Sequence, residues 1–233
     1  LAAQPPGVEK SEPEISGDVS HQTESEILGT PEQATSGVRR LLQVLADTEA
    51  SDRNRSALQL HRSLVAEGWD VRTLALAPGR RADLAATIPV MAPSRRSLAA
   101  VSQFRTEQAW ADIVLLRGID CASVAIAAAF LGGASPKRIL ALSNEPQKWT
   151  AARKISRPQR FLVSSAAVVV VDSELDVDLL AQLDPAFGAV RWIAPYGGGS
   201  ASGAPEVVQR EFSAEIILSL WLDCLNTALP SRP

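Results

Sequence analysis

Histidine and cysteine are scarce in this sequence, with two of each in 233 residues. Cys121 and Cys224 lie far apart, form no C-x-x-C pair and sit in apolar helical patterns. Buried, reduced thiols are therefore expected, rather than a metal site or a disulfide. His21 falls in a polar tail, and His61 has Ala57 and Val65 at i±4, where an acid or metal-ligating partner would have to stand. The nucleophile elbow G-x-S-x-G is absent, as is the P-loop pattern G-x-x-x-x-G-K-[ST]. No uninterrupted apolar run has the length of a membrane span. The opening LAAQPPGVEKSEPE begins without Met and has neither the basic nor the apolar region of a signal peptide. A soluble, cytoplasmic protein is expected, with no metal, no cofactor and no transmembrane segment.

Residues 1–37 lack aromatics altogether and carry seven acids against the single Lys10. Rich in Pro, Glu, Ser, Gly and Thr, they cannot bury enough surface to offset the entropy of ordering, and a disordered acidic tail is expected. The remaining residues hold 22 Lys+Arg against 19 Asp+Glu. That excess is too mild to argue for nucleic acid, and no nucleic-acid partner is expected.

From Val38 onward the chain alternates short apolar runs with amphipathic stretches. RRLLQVLA, WDVRTLALA, TIPVMAP, DIVLLRG, KRILALS, AVVVVDS and AVRWIAP read as about seven strands. Between them NRSALQLHRSLVAEG, RSLAAVSQFRTEQAWA, CASVAIAAAFLGG, PQRFLVSSA and ELDVDLLAQL read as helices. A longer stretch, EVVQREFSAEIILSLWLDCLNTAL, reads as a last helix. Alternation of this kind predicts an α/β fold: a doubly wound, mostly parallel, Rossmann-like sheet covered on both faces. Functional loops then belong at the carboxyl ends of the strands. The first of them, DTEASDRNRS, has no glycine.

Four segments in this order resemble the N-terminal, acceptor-side domain of retaining glycosyltransferases of the family 4 type, which have two Rossmann-like domains. They are ALQLHRSLVAEGWDVRTLALAPG, ADIVLLRG, FLVSSAAVVVVDSELDVDLLAQL and VRWIAPYGGG. The resemblance implies a domain over residues 38–199, a linker over 200–205, and a helix over 206–229 that packs back on the domain. The alternative for that helix is simply a last helix covering the sheet. About 30 residues come after PYGGG, so a donor-binding domain is expected to be absent. The family's loop histidines are also missing: Arg117 and LSNEPQKW stand where they would fall. No catalytic residue can be assigned.

The sequence supports two functional expectations. One is a glycosyltransferase-like protein, incomplete or dependent on a separate donor-domain protein, moving sugar from a nucleotide-sugar donor to an unknown acceptor. Its cleft would be lined by Asp47, Arg53, Arg55, Arg117, Asn144, Glu145, Ser173, Glu174 and Tyr196. The acceptor is expected to be a carbohydrate or a phosphorylated molecule, and the arginines would suit an anionic or phosphorylated one, because guanidinium forks match phosphate oxygens. The other is a non-catalytic carbohydrate-binding or protein-interaction module with a degenerate site on the same fold. There Trp149 either stacks on a sugar ring or packs beneath its loop. GGGSASG reads as a linker, and the glycine-free first loop argues against an independent nucleotide-binding protein.

Overall fold

Six of the apolar runs form one parallel sheet. In the computed structural model the strands are β1 (Arg40–Leu45), β2 (Asp70–Ala75), β3 (Ile113–Arg117), β4 (Lys137–Leu142), β5 (Val168–Val171) and β6 (Ala189–Trp192). They lie in the order β2-β1-β3-β4-β5-β6, every pair parallel. Seven helices accompany them: α1 (Asp52–Ala66), α2 (Leu98–Gln108), α3 (Ile119–Phe130), α4 (Glu145–Ala151), α5 (Arg157–Ser164), α6 (Glu174–Leu183) and α7 (Ala214–Ala228). The residues described are 38–80, 84, 87–95, 97–132, 136–143, 145–151, 155–184, 187, 189–194, 196 and 213–229. All belong to one unit spanning Gly37–Pro233. The acidic tail and the glycine-rich linker lie outside the described residues.

The sheet's two faces obey the period-2 alternation of the strands. Leu42 and Val44, Val114 and Leu116, Leu140 and Leu142, and Val169 and Val171 point into a core closed by α2, α3, α5 and α6. Leu41, Ile113, Leu115, Ile139, Ala141, Val168 and Val170 point the other way, onto Leu60 and Leu64 of α1 and Ile217, Trp221, Cys224 and Leu225 of α7. α3 is Ala-rich because it packs close to the sheet: Ala122, Ala125 and Ala128 are buried, as is Cys121. Both cysteines are buried and free, and burial pushes their thiols up to about 12 for Cys121 and about 11 for Cys224. No described helix is long and apolar enough to cross a membrane.

Helix starts are set by local chemistry. Ser51, Ser97, Ser156 and Ser213 each accept a backbone N–H through the side chain, and Ser156 with Gln159 forms a reciprocal capping box. At the opposite side of the unit, Arg39 donates to Asn226 Oδ1 at 2.5 Å, so the residues entering β1 lie beside the end of α7.

Two expected elements differ. TIPVMAP is not a strand: Val90 makes only an isolated bridge to Ala75, with Ala75 N donating to Pro89 O at 2.9 Å and Met91 N to Ala75 O at 2.8 Å. Pro89 and Pro93 supply no N–H, so the ladder cannot extend. Conversely, the expected loop NEPQKW contains α4, because Pro146 is tolerated in a helix's first turn.

Candidate functional site

The chain leaves β1 for β2 on one side, while β3 joins β1 on the other. In open α/β sheets a crevice forms outside the carboxyl ends of the strands at such a reversal. Its walls here are the loop after β1, residues 46–51, and the tight β3–α3 junction at Gly118.

The loop after β1 is filled by its own side chains. Asn54 is fully buried and donates to Asp47 O at 2.9 Å and Glu49 O at 2.8 Å. Thr48 is buried and accepts from Gly79 N at 2.9 Å. Gly79 lies so close to this loop that a Cβ there would stand 2.6 Å from Glu49 N. Asp47 accepts from Arg95 at 2.7 Å, and the same guanidinium donates to Asp120 at 3.1 Å. Arg95 thus ties the loop to the first turn of α3 and shares its single positive charge between the two carboxylates. Behind it lies a small cavity of about 320 Å³ between α2 and α3.

The other wall carries two half-buried charged side chains, Arg53 and Glu145, over the buried Gly118. Gly118 has φ +97°, a conformation that suits glycine. A Cβ there would meet Glu145 Oε1 at 3.2 Å and Arg53 Nη1 at 3.3 Å. A guanidinium from α1 and a carboxylate from α4 therefore converge over a bare stretch of backbone. Arg53 forms no ion pair among the described residues, while Glu145 Oε2 accepts from Ser143 N at 2.9 Å. Asp172, just after β5, adds a second carboxylate. Burial raises its pKa, the Ser143 hydroxyl and its own backbone N–H hold it down, and Glu145 pushes it up further.

Asp176, in the first turn of α6, is fully buried and neither carboxylate oxygen has a hydrogen-bond partner in good geometry. Burial, then Asp172, raise its pKa; the Gln147 side chain opposes this and Glu145 adds to it. Between the ordinary aspartate range and that raised value the folded carboxyl binds more proton than the unfolded one, so stability falls as pH rises through that window. Asp176→Asn is expected to raise Tm near pH 7, with the gain shrinking as pH falls into the ordinary aspartate range. Thermal unfolding across pH 4–8 measures this, and a gain independent of pH would refute the ionisation argument.

The expected cleft residues are only partly brought together. Arg53 and Glu145 meet at Gly118, and Asp47 lies in the adjoining loop network. Ser173 is the half-buried residue before α6, and Glu174 is exposed in that helix's first turn. Arg55 is exposed on α1 and pairs with Asp52 at 3.3 Å. Arg117 and Tyr196 are buried on the face covered by α1 and α7. Arg117 donates to Gln43 Oε1 at 3.1 Å and lies 5.3 Å from the ring centre of Trp221. Burial, then nearby Arg53, lower its pKa to about 10, against the pull of Tyr196 and Asp172. Asn144 lies outside the described residues. Trp149 is buried in the core beside α3 and α6, so it packs beneath its loop and offers no ring to a sugar. Sequence reasoning missed Arg95 and Gly118. Arg95 pairs with Asp47 from 48 positions away, a separation no local pattern reveals. No group of three or more potential metal ligands exists among the described residues.

No known protein family and no curated protein matches the sequence. Solved structures do match by fold. One is an alpha-glucosyltransferase in complex with UDP-glucose and DNA containing an abasic site, with TM-score 0.51 and 11% identity, covering 67% of this chain and 42% of that one. Another is sucrose-phosphate synthase from Thermosynechococcus elongatus, with TM-score 0.50 and 14% identity, covering 67% and 48%. A third is an alpha-glucosyltransferase with UDP and a 13-mer DNA containing a HMU base, at TM-score 0.50 and 11% identity, covering 67% and 42%. The fold is glycosyltransferase-like, and the chain spans less than half the length of these three structures.

These matches overturn one expectation. A near-neutral charge balance argues against nucleic acid, yet two structures sharing this fold hold DNA. A balanced overall charge on this scaffold does not rule out a nucleic-acid partner, because local charge placement rather than the total decides contact.

Proposed function

We propose that this unit is the acceptor-side half of a glycosyltransferase-like protein of the family 4 type, transferring sugar from a nucleotide-sugar donor. The observation that carries the reading is the meeting of Arg53 and Glu145 over Gly118 at the β1–β3 reversal. Arg53 supplies an unpaired guanidinium for an anionic group on the acceptor, and Glu145 with Asp172 supplies carboxylates that accept hydrogen bonds from its hydroxyls. A donor-binding domain is not inserted between β6 and α7, since only sixteen residues separate Tyr196 from Ser213. Donor binding then rests on a second domain, in this polypeptide or in a separate partner.

A second reading is favoured by the Asp47–Arg95–Asp120 bridge, which fills the place where a glycine-rich loop would leave room for phosphates. On that reading the unit is a carbohydrate-binding or protein-interaction module without transfer chemistry.

Calorimetry tests the first reading. The chain alone is expected to give no saturable heat with UDP-glucose, and to bind a hexose monophosphate in preference to the free hexose. Arg53→Gln is expected to weaken the hexose monophosphate by roughly 10-fold, the worth of one charge-assisted contact. Saturable binding of UDP-glucose by the chain alone would sink the idea that a second domain is needed. A duplex DNA arm belongs in the same panel, because two structures of this fold hold DNA.

A further inference from the structure

At the outer edge of β2, away from the strand ends, lies a cavity of about 600 Å³ between α1, β2 and residues 87–89. That volume is within the range of small-molecule sites. Leu58, Leu74 and Pro89 give it an apolar side, and His61, Arg62 and Arg72 give it a polar one. Arg72 is already held: it pairs with Glu107 at 3.0 Å and lies 4.0 Å from the ring centre of Trp110. Arg62 is exposed and forms no ion pair among the described residues. With Glu107 as the only acid in the lining, its charge is one positive unit in excess.

The polar side is fixed from behind. Arg117 donates to Gln43 Oε1 at 3.1 Å, and Gln43 Nε2 donates to Thr73 Oγ1 at 3.0 Å and to Ala57 O at 2.9 Å. Thr73 Oγ1 thereby accepts from Gln43, and its own hydrogen is satisfied when it points at His61 Nδ1, 3.0 Å away. An acceptor at Nδ1 places the neutral ring's hydrogen on Nε2, which has no protein partner among the described residues. Burial, then Arg62, lower the pKa of His61, which favours the neutral ring.

We propose that this edge cavity is a binding site for a small organic anion, a carboxylate or phosphate with an apolar body. Arg62 and the His61 Nε2–H meet the anion, and Leu58, Leu74 and Pro89 cover the body. Neither group belongs to the Gly118 crevice, so the site is independent of it.

Phenyl phosphate is the probe, with benzyl alcohol as its uncharged counterpart, each titrated into the full chain by calorimetry and by 15N-detected NMR of the histidine rings. The expected result is saturable binding of phenyl phosphate that is at least about 10-fold tighter than benzyl alcohol. The His61 Nε2 resonance is expected to move while Nδ1 keeps the shift of an acceptor nitrogen. Arg62→Gln, an exposed change, is expected to weaken phenyl phosphate about 10-fold, whereas Arg53→Gln leaves the His61 response intact. The proposal is overturned by absence of binding at millimolar probe, by equal binding in the Arg62 variant, by equal binding of benzyl alcohol, or by an unmoved His61 resonance.

Discussion

Trp221→Ala is expected to cost about 3–5 kcal/mol of unfolding free energy, the range for removing a large buried aromatic side chain. Trp221 is only 4% exposed and stands at the centre of the face that α7 lays over the sheet, among Ile217, Cys224 and Leu225. Its loss has a second effect. The Arg117 guanidinium lies 5.3 Å from its ring centre, buried, with Nε unpartnered. Removing the ring deprives that cation of its π-face and opens a hole beside it, where water would enter. Urea unfolding of the full chain measures the cost, with Trp221→Phe expected to retain more than half of the stability lost to alanine. A loss below about 1 kcal/mol would mean that α7 does not hold that face shut.

Gly118→Ala is expected to be the second most damaging change, and the one that reads the site. The φ of +97° costs a side-chain-bearing residue about 1–2 kcal/mol. Gly132 and Gly68 provide the controls, since each has positive φ, +73° and +81°, and nothing within 4 Å of a built Cβ. Their alanine variants carry backbone strain alone. At Gly118 the new methyl must also displace Glu145 Oε1 or Arg53 Nη1, so hexose monophosphate binding is expected to fall only in that variant. Equal loss of binding in all three would show that the site depends on overall stability and not on the convergence over Gly118.

The parts of the fold that can be read from the sequence are those fixed by local periodicity. ELDVDLLAQL is α6 with the expected bounds, Glu174–Leu183, and NRSALQLHRSLVAEG differs from α1 by two residues at each end. The misreadings involve proline. TIPVMAP has the apolar content of a strand, but its prolines cannot donate and leave a single bridge; EPQKW looks broken by Pro146, yet a helix's first turn needs no N–H there. The candidate site is less legible. Strand-end logic alone places Arg53 and Glu145 near the crevice. Their convergence depends on Gly118 adopting a left-handed backbone, and RG at the end of an apolar run does not announce that. Arg117 reads as a loop-end charge, whereas the period-2 alternation of β3 puts it on the same face as Ile113 and Leu115, beneath α7.

The hydrogen bond from Arg39 to Asn226 has an architectural consequence. A unit whose polypeptide enters and leaves at neighbouring points can be spliced into a surface turn of another protein, or circularly permuted by joining those points, without threading either edge of the sheet. The scaffold is therefore portable. New termini placed in the segment joining β6 to α7 are expected to leave β1–β6 folded, with α7 preceding β1 through a short bridge.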